Sequence, residues 1–324
     1  MRILFITSTR IGDAVLSTGA LAWVLARWPE ARITIARGPA AAPLFEAVPN
    51  LERLHVLRKE RGGQHWWRLW ATCVGKFWYA VIDFRRSAMP YLLGVRQRYV
   101  LARSDTRQHK IMAITTMLGE QVPVTPKICI RADHEIAARQ MLNSASSRAK
   151  PLIAVAPTAN WGGKEWPAKR FAELCRRLAS PGKLAEKGTY VIMSAPDEIE
   201  RAGKLVELIE DLPVIDLRGR IDLLTAFACL RQVDMFVGND SALMHLAAAA
   251  GISTLGLFGP SRDEVYGPWG PRCSVVRTSL TFDEITAAPG YSYKSHDSQM
   301  GTLTVDRVES AVNDLWRSRA AKPA

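Results

Sequence analysis

Short apolar runs alternate with helix-length segments along nearly all of the 324 residues, and the alternation starts afresh halfway. Residues 3–7, 33–36, 54–57 and 80–84 have the length and apolar content of buried strands. Helices are predicted at 14–25, 43–48, around Trp66–Trp70 and at 134–144. After a polar linker at 144–150 the pattern restarts, with strands at 152–156, 190–194, 214–216, 235–237 and 254–258. Helices at 171–178, 198–209, 223–230 and 243–250 fall between or after them, and a last one at 305–316. Repeated β-α-β units require crossovers, and hence parallel sheets covered on both faces. Two such runs predict two doubly wound α/β domains of ordinary size, at 1–149 and 150–324. Residues 283–300, polar and aromatic without a period, read as a loop, and the last residues, 322–324, as a fraying end.

The densest signal is 233–261, VDMFVGNDSALMHLAAAAGISTLGLFGPS. Its first strand is broken by Gly238-Asn239-Asp240-Ser241, residues suited to a tight turn and a helix N-cap. A helix of small apolar residues follows, closed by Gly251, and a second strand stops at Gly259-Pro260. Ligands of open α/β sheets bind beyond the carboxyl ends of the strands, where Asp240, Ser241 and His245 stand among apolar neighbours. His245 follows Ser241 by four residues, so both project from one helix face. Each also has a plain structural use. Asp240 or Ser241 can cap the helix, and His245 can be a hydrogen-bonded core residue. Three polar groups at one strand end weigh toward a site.

Two further loops stand at strand ends. Ser8-Thr9-Arg10-Ile11-Gly12-Asp13 occupies the place of a dinucleotide fingerprint but holds only one of its glycines, which argues against a nicotinamide-dependent dehydrogenase. Asp13 falls at the helix start, where the dipole favours a carboxylate and where a residue can equally serve as cap. In PTANWGGKEWP, residues 157–167, the double glycine permits close approach to a ligand. Lys164 is either a point charge for a phosphate or an ordinary loop lysine.

Charge is distributed unevenly. Residues 1–150 hold 23 of the 43 Lys and Arg but only 10 of the 31 Asp and Glu. That half is expected to meet something anionic: a phosphorylated lipid, a membrane face or nucleic acid. It also contains the cluster Trp66, Trp67, Trp70, Phe77, Trp78, Tyr79 and Phe84, which either packs on the sheet or sits partly at a membrane interface. No recognised nucleic-acid motif appears, so a nucleic-acid partner is not expected. Five scattered cysteines without a CxxC pair read as reduced thiols, and no Asp-x-Asp or His cluster predicts a metal. With no signal core and no membrane-spanning run, a cytoplasmic protein is expected.

Ile11-Gly12-Asp13, Lys164-Glu165-Trp166-Pro167, Asn239-Asp240-Ser241 with Met244-His245-Leu246-Ala247, and Leu257-Phe258-Gly259-Pro260-Ser261 occur in one order from Met1 to about Trp316. In these the chain resembles glycosyltransferase family 9, the heptosyltransferase-like enzymes of lipopolysaccharide assembly. The resemblance implies GT-B architecture, two facing Rossmann-like domains with the active site in the cleft. It implies an N-terminal acceptor domain, a C-terminal nucleotide-sugar domain and inverting transfer without metal or other cofactor. The donor implied is ADP-heptose and the acceptor an anionic glycolipid, with possible peripheral contact at the cytoplasmic face of the inner membrane. Asp13 matches the base, Lys164 the lysine at donor phosphate or sugar, and Asp240 an acid of the donor pocket. Ser241 and His245 match positions near the diphosphate; Thr158 matches more loosely the loop before the lysine, and Glu198 the nucleoside end. The chain departs from many members in having Ala242 in place of Gly, which bears on donor identity.

Overall fold

The computed structural model describes residues 1–103, 107–143, 149–293 and 295–319. The chain divides into two compact units, Met1–Arg131 and Ala132–Ala324. Most of the linker expected at 144–150 lies outside the described residues, as does the chain end at 320–324.

The first unit is built from β1 (Arg2–Ile6), α1 (Ile11–Arg27), β2 (Arg32–Arg37), β3 (Leu51–Val56), α2 (Gln64–Cys73), β4 (Phe77–Asp83), α3 (Met89–Leu92), β5 (Gly94–Val100) and α4 (Lys110–Met117). All five strands are parallel, in the order β3-β2-β1-β4-β5. β1 is central, and Ile3, Leu4, Phe5 and Ile6 are fully buried because both faces of a parallel sheet are covered. On one face, α2 presents Leu69 and Cys73, four residues apart, to Leu4, Ile6, Val81 and Trp78. The aromatic cluster splits accordingly. Trp78 is core, its indole donating to the Cys73 carbonyl at 3.0 Å; Trp66 and Trp70 are half-buried; Trp67 and Phe77 are exposed.

The second unit comprises α5 (Ala132–Asn143), β6 (Leu152–Ala156), α6 (Ala168–Ala179), β7 (Thr189–Ile192), α7 (Ile199–Leu208), β8 (Val214–Asp216), α8 (Leu223–Leu230), β9 (Met235–Asn239), α9 (Ala242–Ala249), β10 (Ser253–Phe258), α10 (Asp263–Tyr266), β11 (Cys273–Arg277), α11 (Phe282–Ala287) and α12 (Val305–Ser318). Its six strands are parallel in the order β11-β10-β9-β6-β7-β8. The chain runs outward from β6 to β8, then returns to build the other side from β9. The switch therefore falls between β6 and β9, and ligands of such sheets bind beyond the strand ends at that point.

The structure corrects several expectations. α5 packs on α8, so it belongs to the second unit, and the first ends at Arg131 and not at residue 149. β5 and β11 were not expected. Both are edge strands: β5 carries Arg96 and Arg98 at exposed positions, which mask its period of two, and β11 is only five residues long, with one buried position, Val276. The expected helix at 43–48 is a single 3-10 turn, Pro43–Phe45. Residues 283–300 are not all loop, because α11 begins there behind a capping box. Thr281 Oγ1 accepts from Glu284 N at 3.2 Å, and Glu284 accepts from Thr281 N at 2.7 Å.

Candidate active site

In the second unit the two loops at the switch point are tied by one amide. Asn239, fully buried at the end of β9, donates from Nδ2 to the Pro157 carbonyl at 2.8 Å and accepts from Trp166 N at 3.0 Å. The loop after β6 is thereby held against the loop after β9. That contact brings Lys164 Nζ within 2.5 Å of Asp240 Oδ2. The Asp240 side chain is 8% exposed and that of Lys164 23%, so the pair is shielded from water but reachable. Lys164 is thus not an ordinary solvent-facing loop residue.

Ser241 is the N-cap of α9, yet its hydroxyl makes no capping bond. Its Oγ is buried without a hydrogen-bond partner. Burying a hydroxyl this way costs free energy unless a ligand fills the vacancy in its bonding. α9 has no acidic residue in its first turn, so its N-terminal N–H groups and positive dipole end stay available to an anion. His245, 5% exposed, sits one turn into the same helix, with its amide bonded to the Ser241 carbonyl at 3.4 Å. Ala242 is the first residue of α9.

Thr158 and Glu198 also meet. The Thr158 hydroxyl donates to Glu198 Oε2 at 2.7 Å, with both residues buried. Glu198 Oε1 lies 3.7 Å from Arg201, which in turn pairs with Glu165. Glu165 accepts from Ala159 N at 3.0 Å, so this network fixes both ends of the segment that carries Lys164. Glu165 and Arg201 had no individual role in the sequence reading, because their meeting depends on α7 packing.

A third support was invisible in sequence. Residues 295–303 strap the lysine loop: Trp161 Nε1 donates to Ser295 O at 2.6 Å, and Ser298 Oγ to Glu165 O at 2.6 Å. Gln299 N donates to Gly163 O at 2.9 Å, and the buried Trp166 indole to Leu303 O at 2.9 Å. A Cβ on Gly162 would stand 2.4 Å from the His296 carbonyl, so glycine is needed there for close approach. Ser261, just past β10, adds a second buried hydroxyl with no partner. It entered the sequence reading only as the end of a motif.

In the first unit, two carboxylates stand near the carboxyl ends of the central strands. Asp83, fully buried, accepts from Arg85 N, Ser87 N and Ser87 Oγ, each at 2.7 Å, so its oxygens are spent on a turn. Asp13 differs. The N-cap of α1 is Arg10, and Asp13 lies in the first turn, so it is not the cap. Among the described residues, no hydrogen bond or ion pair engages its carboxylate. No group of three or more potential metal ligands occurs among the described residues, and no helix there is long and apolar enough to cross a membrane.

Comparison with known proteins bears on the family and the fold. The model of glycosyltransferase family 9 (heptosyltransferase) matches residues 95–286, more than half of the chain. Lipopolysaccharide heptosyltransferase 2 of Salmonella typhimurium is 23% identical over 356 aligned residues, covering 97% of this chain and 98% of that protein. A solved family 9 glycosyl transferase from Veillonella parvula superposes with a TM-score of 0.79 at 20% identity, over 98% of this chain and 97% of that one. The E. coli ADP-heptose lps heptosyltransferase II does so with a TM-score of 0.72 at 20% identity, over 99% and 100%. The two solved structures share the fold, and the fold class is α/β of the GT-B type. With its family model spanning β5 through most of α11, this chain is a glycosyltransferase and belongs to family 9.

Proposed function

We propose that the protein transfers a sugar, heptose from ADP-heptose, with inversion onto a lipopolysaccharide-core glycolipid. The observation that carries this reading is the switch-point site: a shielded Lys164, an unbonded Ser241 hydroxyl and the open N-terminus of α9 together make a cradle for a diphosphate. The names of the similar enzymes supply the sugar and the lipid. The acceptor hydroxyl attacks the anomeric carbon, the bond from that carbon to the diphosphate oxygen breaks, and ADP leaves with the electron pair. Asp13 takes the hydroxyl proton, a role typically worth about 10²–10⁴ in rate. Lys164, the α9 N–H groups, Ser241 and His245 take up the charge growing on the diphosphate, without a metal. Asp240 holds Lys164 in place, while Thr158 and Glu198 line the nucleoside end. The first unit then serves the acceptor and the second the donor.

The test is transfer itself. Purified protein, ADP-heptose and truncated lipopolysaccharide should release ADP and yield a product one heptose heavier, equally well in EDTA. Failure with every nucleotide sugar would refute the reading; activity lost in EDTA and restored by magnesium would refute its metal independence. Peripheral attachment to the cytoplasmic face of the inner membrane belongs to the same reading. It is supported by exposed Trp67, Phe77 and Tyr91 (65, 66 and 69%) in a segment, 61–104, whose one carboxylate among eight Lys and Arg is buried Asp83. Binding to anionic vesicles free of acceptor, falling in high salt, is expected. Equal indifference to anionic and neutral vesicles would remove this part.

A further inference from the structure

Arg37, the last residue of β2, is 3% exposed, and its Nε is buried without a hydrogen-bond partner. Among the described residues its side chain makes one hydrogen bond, a weak one from Nη1 to the adjacent Gly38 carbonyl at 3.5 Å. Among the described residues, it has no ion-pair partner. Burial draws its pKa below the ordinary value, and the charge of Glu46 offsets only part of that. A guanidinium that cannot lose its proton in a protein, left buried and unpaired, is costly. Nothing in the packing of the first unit explains why an arginine stands there.

Its position supplies the reason. β2 neighbours β1 in the sheet, and Arg37 closes the carboxyl end of β2, the side on which ligands of such sheets lie. The corner at Arg37-Gly38 is stitched to the loop between β1 and α1: Thr7 N donates to Ala36 O at 2.8 Å, and Gly38 N to Ser8 O at 3.5 Å. A Cβ on Gly38 would come 2.5 Å from Thr9 Cα, so the two backbones touch. That loop leads directly into the first turn of α1, where Asp13 stands with its carboxylate unengaged. A buried cation, only partly offset by Glu46, thus ends the strand whose corner touches the loop that positions the proposed base.

We propose that Arg37 anchors an oxyanion-binding site, taking a phosphate or carboxylate group of the acceptor close to the hydroxyl that reacts. The site rests on the reading of the first unit as the acceptor unit. Arginine suits it because the planar guanidinium pairs with a carboxylate or phosphate through two parallel hydrogen bonds, and such charge-assisted bonds are strong. The bound oxyanion supplies the partner that the protein withholds. Acceptors without an anionic group beside the reacting hydroxyl would leave Arg37 buried and unpaired, and are rejected for that reason.

The decisive variant is Arg37→Met, which keeps the length and removes the charge. The acceptor KM should rise about 10–100-fold, the worth of a charge-assisted hydrogen bond, with kcat at saturating acceptor within about threefold. The KM for the nucleotide sugar should not move. Tm should stay level or rise, because an unpaired buried charge has been deleted, and Arg37→Lys should restore part of the acceptor affinity. In the wild type, acetate should inhibit competitively against acceptor and not against donor, and inorganic phosphate should compete with acceptor whatever it also does at the diphosphate cradle, a measurement that holds even if the variant folds poorly. An unchanged acceptor KM in folded Arg37→Met protein, or a joint fall in Tm, kcat and both affinities, would overturn the site. Absence of any transfer by the wild type would instead overturn the reaction on which it rests.

Discussion

Asp13→Asn should lower turnover by at least about a hundredfold while leaving donor affinity nearly intact. The structure sharpens this test. Since Arg10 is the N-cap and Asp13 lies in the first turn, the amide removes no capping bond. What it loses is the favourable interaction of a charge with the helix dipole, about 0.3–1 kcal/mol. Stability should therefore fall by no more than a few degrees in Tm, and calorimetry with ADP should be unaffected. A folded Asp13→Asn protein that turns over at nearly the wild-type rate would remove Asp13 from the chemistry. Asp83 would not replace it, because three hydrogen bonds at 2.7 Å already occupy its carboxylate.

The second large effect is expected at Lys164. Lys164→Ala should weaken ADP binding by about 10–100-fold and adenosine binding hardly at all, because the ammonium acts on phosphate. The change also strands Asp240, whose side chain is 8% exposed. Breaking a buried pair by removing one partner costs about 3–5 kcal/mol, so the single variant should be visibly less stable. Lys164→Ala combined with Asp240→Asn should recover much of that stability without recovering ADP affinity. Equal losses for ADP and adenosine in the double variant would mean that the loop had collapsed, and that Lys164 has no specific role at the diphosphate.

Much of this was legible before the fold was known, for physical reasons. β6 and α8 fall where the sequence places them, because a buried parallel strand is an unbroken apolar run and Asp222 is a plain cap, accepting from Leu224 N and Thr225 N. Lys164 and Asp240, 76 residues apart, were singled out separately, as were Thr158 and Glu198; the fold joins each pair. What sequence could not supply was non-local. The 295–303 strap is made largely of backbone carbonyls and amides, which carry no residue-type signature. β5 hid because Arg96 and Arg98 interrupt its apolar positions with charge, although alternation with Val95, Gln97 and Tyr99 marks a half-covered edge strand. Arg37 lies one residue past the strand predicted at 33–36. Its meaning depends on burial, which composition does not reveal.

The tryptophan cluster illustrates the same limit. Helical spacing placed Trp70 with Trp66 or Trp67 on one face, but not which face the sheet would cover. In the structure, His65, Leu69 and Cys73 form the buried stripe of α2, while half-buried Trp70 flanks it and meets exposed Trp67 edge to face at 5.9 Å. Only Trp78, on β4, is core.

The most direct test of the central claim, a diphosphate-sugar site at the β6–β9 switch point, is a calorimetric titration of the whole protein. ADP-heptose and ADP should bind with one site per chain, adenosine markedly more weakly, and NADH not at all. Binding of NADH with no response to ADP-heptose or to any other nucleotide sugar would contradict the account.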